Sequence, residues 1–127
     1  MSRRKSIEVE GLNHGGMPIP AASLVDNILI SGGINGTDAA TGKMPESTEE
    51  QCANLFKNVK LIVEAANGTT DTIIKMTFFV KDRSSREAIN KEWLTMFPDA
   101  HSRPARHTLV YDLASPMLIQ AEIYAVI

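Results

Sequence analysis

The chain has 127 residues, 43% of them hydrophobic and 22% charged, with a net charge of −2. These values are typical of one compact domain over residues 1–127 and do not favour a nucleic-acid binder. Because the sequence has a single cysteine, Cys52, and neither a membrane-spanning apolar run nor a signal-peptide core, we expect a cytoplasmic protein without disulfides or membrane association.

The first third of the sequence predicts short strands and loops. The basic residues 2–5, "SRRK", form a terminal cluster that we expect to be frayed and solvated rather than a nucleic-acid site. Residues 6–10 alternate like a strand, and the glycines and prolines of residues 11–20 indicate a loop. Residues 21–33 then predict two short strands around a turn at Asp26-Asn27.

The clearest predicted element is a helix that follows Ser47. Ser47 and Glu50 form an S-x-x-E capping box, and Asn67-Gly68 is a C-terminal stop signal. Between these signals, apolar residues recur at helical spacing: Cys52, Leu55, Phe56, Val59, Ile62, Val63 and Ala66. The opposite side is polar, so the helix is predicted to lie on a sheet.

Residues 71–82 predict a strand whose two faces differ. One face is predicted to carry Ile74, Met76, Phe78 and Val80, and the other Ile73, Lys75, Thr77 and Phe79. A second helix is predicted over residues 85–97, because Ile89, Trp93 and Met96 form an apolar stripe and Pro98 ends the pattern.

Two further strands are predicted at residues 105–113 and 117–126, joined by a turn at Ser115-Pro116. The predicted order β-β-β-α-β-α-β-β indicates an α+β sandwich with two helices on one face of a mostly antiparallel sheet. The other face is expected to carry Phe79, Tyr111 and Tyr124. Self-association is the simplest way to cover these large side chains.

The common catalytic motifs are absent from the sequence. No phosphate-binding loop, dinucleotide-binding motif or nucleophile elbow is present, and the three histidines lack metal-ligand spacing. We expect His14 and His101 to be solvated loop residues. Cys52 lies on the apolar stripe of the first helix, so we expect a small core residue and not a nucleophile.

Two charged residues lie in predicted strands that are otherwise mostly apolar, which is an unfavourable place for a charge without a partner. Pro104 restrains the approach to Arg106, which either binds a carboxylate through both prongs of its guanidinium or pairs with an aspartate. The candidate aspartates are Asp82, Asp99 and Asp112. Glu122 interrupts "MLIQAEIYAVI" and either faces solvent or has a partner or a function.

Several segments in this order resemble the reactive-intermediate deaminase family, also called Rid or YjgF. They are "ILISGGI", "AINKEWLTMFPD", "RPARHTLV" and "AEIYAVI", and the resemblance spans about residues 7–126. It implies a fold like a chorismate mutase subunit and a homotrimer with clefts between subunits. It also implies hydrolysis of enamines and imines such as 2-aminoacrylate and 2-iminopropanoate to 2-keto acids and ammonia, without a metal or organic cofactor.

The resemblance implies a role for particular residues. Arg106 matches the arginine that holds the substrate carboxylate, and Glu122 matches a glutamate associated with a water in the cleft. The remaining implied site residues are Ser31, Gly32, Asn90 and Thr108, with Gly33 in the same glycine-rich stretch. As a mechanistic hypothesis, Glu122 activates water, and backbone N–H groups near Gly32 and Thr108 stabilise developing negative charge.

The sequence also departs from the family pattern. "GGMPIPAAS" contains no tyrosine where a G-P-Y-S-Q-A stretch is usual, Gly33 replaces a glutamine, and His107 follows the arginine where a small residue is common. These changes indicate a subfamily with a different pocket shape. Alternation places His107 on the strand face opposite Arg106, with Leu109 and Tyr111, so we expect it to have a packing or interface role.

Another reading is a trimer that binds small carboxylates without catalysis, as a sensor or regulator. Ribonuclease or translation-inhibitor functions have also been attributed to some members of the family. The slightly acidic balance and the absence of a basic, aromatic-rich pattern argue against an RNA partner. The ligand that the resemblance implies is a small 2-imino or 2-keto acid.

Overall fold

A computed structural model describes residues 3–127. The strands are β1 (Arg4–Ile7), β2 (Ala22–Val25), β3 (Ile28–Ser31), β4 (Ile34–Asn35), β5 (Ile73–Val80), β6 (Ala105–Val110) and β7 (Ile119–Val126). The helices are α1 (Thr48–Ala65) and α2 (Arg86–Met96). Three single 3₁₀ turns lie at His14–Gly16, Thr70–Thr72 and Arg83–Ser85.

The strands form one sheet in the order β1-β2-β3-β7-β5-β6, and β4 also pairs with β7. All pairings are antiparallel except β5 with β6, which the crossover helix α2 makes parallel. This is the predicted α+β architecture with a mostly antiparallel sheet. The structure adds β4, a two-residue strand that the glycine-rich sequence after β3 did not indicate.

Both helices pack on the same face of the sheet, as predicted. Phe78 of β5 stacks on Phe56 of α1 with ring centroids 5.9 Å apart, and it meets Trp93 of α2 edge-on at 6.4 Å. The predicted apolar residues of α1 are all buried. Ser47 caps α1 by accepting a hydrogen bond from the N–H of Glu50, and Asn67, with φ 64°, ends it in the left-handed conformation.

Two predictions at the ends of strands are wrong. The first strand lies at residues 4–7 and not 6–10, so the basic cluster is ordered from Arg3 onward, and Arg3 pairs with Asp26 at 2.6 Å. Ser2 lies outside the described residues. In β5 the pairing with β7 shifts by one residue between Ile73 and Lys75. This bulge leaves Ile73 5% exposed in the core and turns Ile74 outward at 55% exposure, the reverse of the alternation.

A buried glutamine on α1 ties three parts of the fold together. The Gln51 amide nitrogen donates to the carbonyls of Pro45 at 2.8 Å and Pro116 at 3.0 Å. Its amide oxygen accepts from the N–H of Leu118 at 2.9 Å. Gln51 is fully buried, so it holds the approach to α1, the turn before β7 and the start of β7 in one arrangement.

We expect Gln51→Leu to destabilise the protein by about 2–4 kcal/mol, because three hydrogen bonds are lost and their partners are left partly buried. Lys60→Leu, at an exposed position of the same helix, is the matched control and should change stability by less than about 0.5 kcal/mol. Urea denaturation of both variants measures the difference. Equal stability of the two variants would show that water replaces the amide at no cost.

The second face of the sheet, called here the open face, carries no helix. Large apolar side chains are exposed there, among them Ile28, Ile30, Leu109 and Tyr111. The predicted Phe79 and Tyr124 lie on the same face, and Phe79 meets Tyr111 edge-on with ring centroids 5.6 Å apart. Within residues 3–127, no helix is long and apolar enough to cross a membrane.

Candidate functional site

Arg106 projects from β6 onto the helix-covered face of the sheet. It is in register with Met76, whose side chain is fully buried in the core. Its guanidinium carbon lies 5.1 Å from the ring centroid of Trp93 and 5.8 Å from that of Phe78. These two aromatic rings hold the charged group by cation–π contact while leaving its N–H groups unused.

Arg106 has no acidic partner in the part of the chain that the structure describes. Asp82 instead accepts a hydrogen bond from the N–H of Ser84 at 2.7 Å, and Asp99 accepts one from the N–H of His101 at 2.9 Å. Burial and, to a lesser extent, the charge of Arg86 lower the pKa of Arg106. The ion pair offered as an alternative from the sequence, with Asp82, Asp99 or Asp112, is therefore not formed within the described chain.

A small pocket adjoins Arg106 at the edge of the sheet. It is lined by Val80, Arg83, Arg86, Arg106, Thr108 and Val110. Thr108 thus lies beside Arg106, two residues along the same strand face. Asn90 is exposed on α2 and lies three residues before Trp93, on the same side of that helix.

Glu122 lies on the opposite side of the sheet from Arg106. It is in register with Thr77, which is also the partner of His107 on β6, and these three residues point to the open face. The Tyr124 hydroxyl donates to a Glu122 carboxylate oxygen at 3.3 Å. The negative charge of Glu122 is the main cause that raises the pKa of Tyr124.

The glycine-rich stretch lies next to Glu122. Ile30 pairs with Tyr124 and Ile34 with Ala121, so residues 31–33 bulge opposite residues 122–123. Ser31 fixes the bulge, because its hydroxyl donates to the Gly32 carbonyl at 2.8 Å and accepts from the N–H of Ile123 at 2.9 Å. The structure therefore brings Ser31, Gly32 and Gly33 together with Glu122.

The N–H of Gly32 has a partner within the chain, since it donates to the Ala21 carbonyl at 3.0 Å. The sequence-based hypothesis concerned backbone N–H groups near Gly32, and it stays a prediction for the other N–H groups of the bulge. The antiparallel approach of Ala21 to the bulge could not be deduced from the local sequence. The Gly32 N–H therefore holds the bulge against the strand before it.

The predicted site residues thus fall into two groups on opposite faces of one sheet. The arginine group consists of Arg106, Thr108 and Asn90, and the glutamate group consists of Ser31, Gly32, Gly33 and Glu122. Because side chains on opposite faces of a sheet cannot converge, a site that contains both groups needs two copies of the chain. The arrangement agrees with a cleft between subunits.

His14 is placed differently from the prediction. It is half-buried rather than solvated, and its Nε2 lies 3.0 Å from the Gly33 carbonyl, to which it donates. Its Nδ1 is buried and has no partner among residues 3–127. His14 and Gly33 also line a cavity of about 320 Å³ under the loop before β2. Nothing in the isolated sequence connects His14 to the glycine bulge.

The other candidate groups are placed as expected. His101 and His107 are exposed, and His107 lies on the open face beside Leu109 and Tyr111. Cys52 is a fully buried core residue, and burial, aided by the charges of Glu92 and Glu49, raises the pKa of its thiol to about 12. Among the described residues, no three histidine, cysteine or acidic side chains are grouped so that they could hold a metal ion.

Comparison with known proteins relates the chain to one family. The family model described as endoribonuclease L-PSP matches residues 20–127. A RutC family protein of Aquifex aeolicus is 33% identical over 110 residues, which are 86% of this chain and 88% of the relative. A 2-iminobutanoate/2-iminopropanoate deaminase of Escherichia coli is 29% identical over 100 residues, 79% of this chain and 78% of the relative.

A solved structure shows the same fold. The crystal structure of Escherichia coli TdcF with bound serine superposes with a TM-score of 0.86 at 26% identity, covering 97% of this chain and 98% of that chain. The sequence match covers most of the chain, and the fold is the same. Both findings agree with the sequence motifs that contain Arg106 and Glu122. The chain belongs to the reactive-intermediate deaminase (Rid/YjgF) family.

Proposed function

We propose that the protein hydrolyses 2-imino acids, of the 2-aminoacrylate and 2-iminopropanoate type, to 2-keto acids and ammonia. The observation that carries the proposal is Arg106, a partly buried guanidinium held on two aromatic rings without an acidic partner in the described chain. Such a group is prepared to bind a carboxylate through two parallel hydrogen bonds. The named deaminase of Escherichia coli supports the reaction class.

The site is assembled between subunits of a homotrimer. Arg106, Thr108 and Asn90 come from one subunit, and the glycine bulge with Glu122 comes from the next. The open face supports association, because its exposed apolar side chains require a cover and Glu122 lies among them. Closing the cleft between two subunits also removes water from both charged groups, which strengthens their interactions with the substrate.

In the reaction, Arg106 holds the substrate carboxylate and thereby fixes the imine carbon in the cleft. Glu122 takes a proton from a water, whose oxygen forms a bond to that carbon as the carbon–nitrogen π bond breaks. Glu122 then gives this proton to the nitrogen, which restores the carboxylate. The resulting carbinolamine loses its O–H proton to the nitrogen through Glu122. The carbon–oxygen double bond then forms as the carbon–nitrogen bond breaks, and ammonia leaves.

The Tyr124 hydroxyl contributes to positioning in this scheme. It donates to Glu122 at 3.3 Å and so fixes one carboxylate oxygen, which leaves the other free to accept from water. Glu122 lies in the middle of β7 and pairs with Thr77 of β5, which is buried. The Glu122 backbone is therefore held in a packed sheet and not in a loop. A rigid base is the requirement for orienting a water on a small substrate.

The competing function is carboxylate binding without catalysis. The test generates 2-aminoacrylate in the presence and absence of the protein and measures the rate of ammonia release. We expect acceleration that depends on protein concentration. Tight binding of a 2-keto acid without acceleration would overturn the deaminase and leave the binder.

Assembly is a separate prediction. Light scattering at micromolar concentration is expected to give three times the 13.9 kDa mass of the single chain. Tyr111→Glu should lower this mass, since it places a charge among exposed apolar residues of the open face, whereas Lys60→Glu on the outer side of α1 should not. A monomer mass for the unaltered protein would remove the site between subunits.

A further inference from the structure

Three arginines surround one pocket at the edge of the sheet. The pocket lies where β5 and β6 end and α2 begins, and Arg83, Arg86 and Arg106 all line it. Its volume is about 30 Å³. The three arginines therefore border one small recess at the edge of the sheet.

The positive charge of this pocket is not neutralised by residues 3–127. None of the three guanidinium groups forms a salt bridge within that range, and Asp82, the acid next to Arg83 in sequence, accepts the Ser84 N–H instead. Arg86 and Arg106 are close enough that the charge of the first lowers the pKa of the second. Like charges gathered in this way favour the binding of anions.

A substrate with one carboxylate does not account for all three arginines. The site of the proposed reaction uses Arg106 for the carboxylate next to the imine carbon. Arg83 and Arg86 then remain without a partner beside the bound substrate. They stand on the last turn before α2 and on its first residue, where the backbone is fixed by 3₁₀ and α-helical hydrogen bonds.

We propose that the substrate carries a second carboxylate, so that the protein acts on the imines of 2-oxo dicarboxylic acids. Arg106 holds the carboxylate beside the imine carbon, and Arg83 and Arg86 hold the distal one. The inference rests on the proposed deaminase function and specifies its substrate class. The hydrolysis is unchanged: water supplies the carbonyl oxygen, the carbon–nitrogen bond breaks and ammonia leaves.

The test compares two imines that differ only at the far end of the molecule. Amino-acid oxidases generate 2-iminoglutarate from glutamate and 2-iminopentanoate from norvaline, and hydrolysis is measured as the loss of imine trapped by semicarbazide. The variant is Arg83→Gln/Arg86→Gln. The matched control is Lys57→Gln/Lys60→Gln, which removes the same charge from exposed positions on α1.

We expect the unaltered protein to prefer 2-iminoglutarate in kcat/KM by about 10- to 100-fold, the range for charged hydrogen bonds to a carboxylate. The arginine variant should lose that preference while its kcat/KM for 2-iminopentanoate is little changed. The lysine control should keep the preference. Absence of a preference in the unaltered protein, or an equal loss on both imines in the arginine variant, would overturn the proposal.

A binding measurement separates failure of this inference from failure of the deaminase function. Calorimetry compares 2-oxoglutarate with 2-oxopentanoate, which match the two imines in length and are not hydrolysed. If neither imine is turned over, tighter binding of 2-oxoglutarate that disappears in the arginine variant still supports the second carboxylate site. Equal binding of the two 2-oxo acids overturns it.

Discussion

Replacing Arg106 by alanine is expected to lower kcat/KM for imine hydrolysis by about 30-fold to several-thousand-fold, since one partner of a desolvated charge pair typically accounts for about 2–5 kcal/mol. Under the proposed function the other partner is the substrate carboxylate, since no acid pairs with Arg106 in the described chain. The loss should therefore fall on binding and rate. Steady-state kinetics on the purified protein measures it.

Stability separates this role from a structural one. The variant loses cation–π contacts with Trp93 and Phe78, which amount to about 0.5–2 kcal/mol. Relief of the repulsion with Arg86 offsets part of this loss. We therefore expect the melting temperature to change by only a few degrees, and a collapse in stability that explains the lost activity would count against the assignment.

Two substitutions complete the Arg106 test. Arg106→Lys should also lose much of the activity, because an ammonium group cannot reproduce the two-pronged grip on a carboxylate. Arg103→Ala is the control, since Arg103 donates to the carbonyls of Phe97 and Pro98 and takes no part in the site. Unchanged turnover in Arg106→Ala would exclude Arg106 as the carboxylate-binding group.

The sequence predicted the parts of this fold that are determined locally. Helix α1 was found because its apolar period, its capping serine and its Asn-Gly end all lie within one short segment. The hairpin of β2 and β3 was found because Asp26 adopts the left-handed turn conformation that aspartate tolerates. In each case the physical cause and the sequence signal occupy the same residues.

Features that depend on distant partners were missed. The role of Gln51 was not predicted, because its partners Pro116 and Leu118 lie 65 and 67 residues away in the sequence. The bulge that reverses Ile73 and Ile74 arises from pairing with β7, which no local alternation reveals. The same limit left the partner of Arg106 open, because only the register with Met76 shows which face it occupies.

In the candidate site, too, single residues could be predicted from local motifs, but their spatial arrangement could not. Motifs identified Arg106 and Glu122 one at a time, but only the sheet register shows that they face opposite directions. The proposed site that contains both therefore needs two chains. His14 escaped prediction because its contact with Gly33 joins a loop to a bulge 19 residues later. Arg83 and Arg86 were not predicted to lie near Arg106 for the same reason. They approach it only because the chain crosses over from β5 to the neighbouring strand β6.

Glu122→Gln is expected to lower kcat by about 10²- to 10⁴-fold, the usual contribution of a positioned general base, with a smaller effect on KM. Glutamine keeps the size of the side chain and can still accept the Tyr124 hydrogen bond through its amide oxygen. It cannot take a proton from water. Glu64→Gln, at an exposed position of α1, is the matched control and should leave kcat unchanged.

A spectroscopic titration checks that Glu122 and Tyr124 interact as described. The chain has two tyrosines, so in a Tyr111→Phe background only Tyr124 contributes to the tyrosinate absorbance. The carboxylate raises the pKa of Tyr124 because it opposes a second negative charge beside it. Glu122→Gln should therefore lower that pKa toward its ordinary value. If the pKa falls and kcat is unchanged, the contact exists but Glu122 is not the base, and hydrolysis then rests on the binding of the substrate carboxylate by Arg106 with water activated by another group.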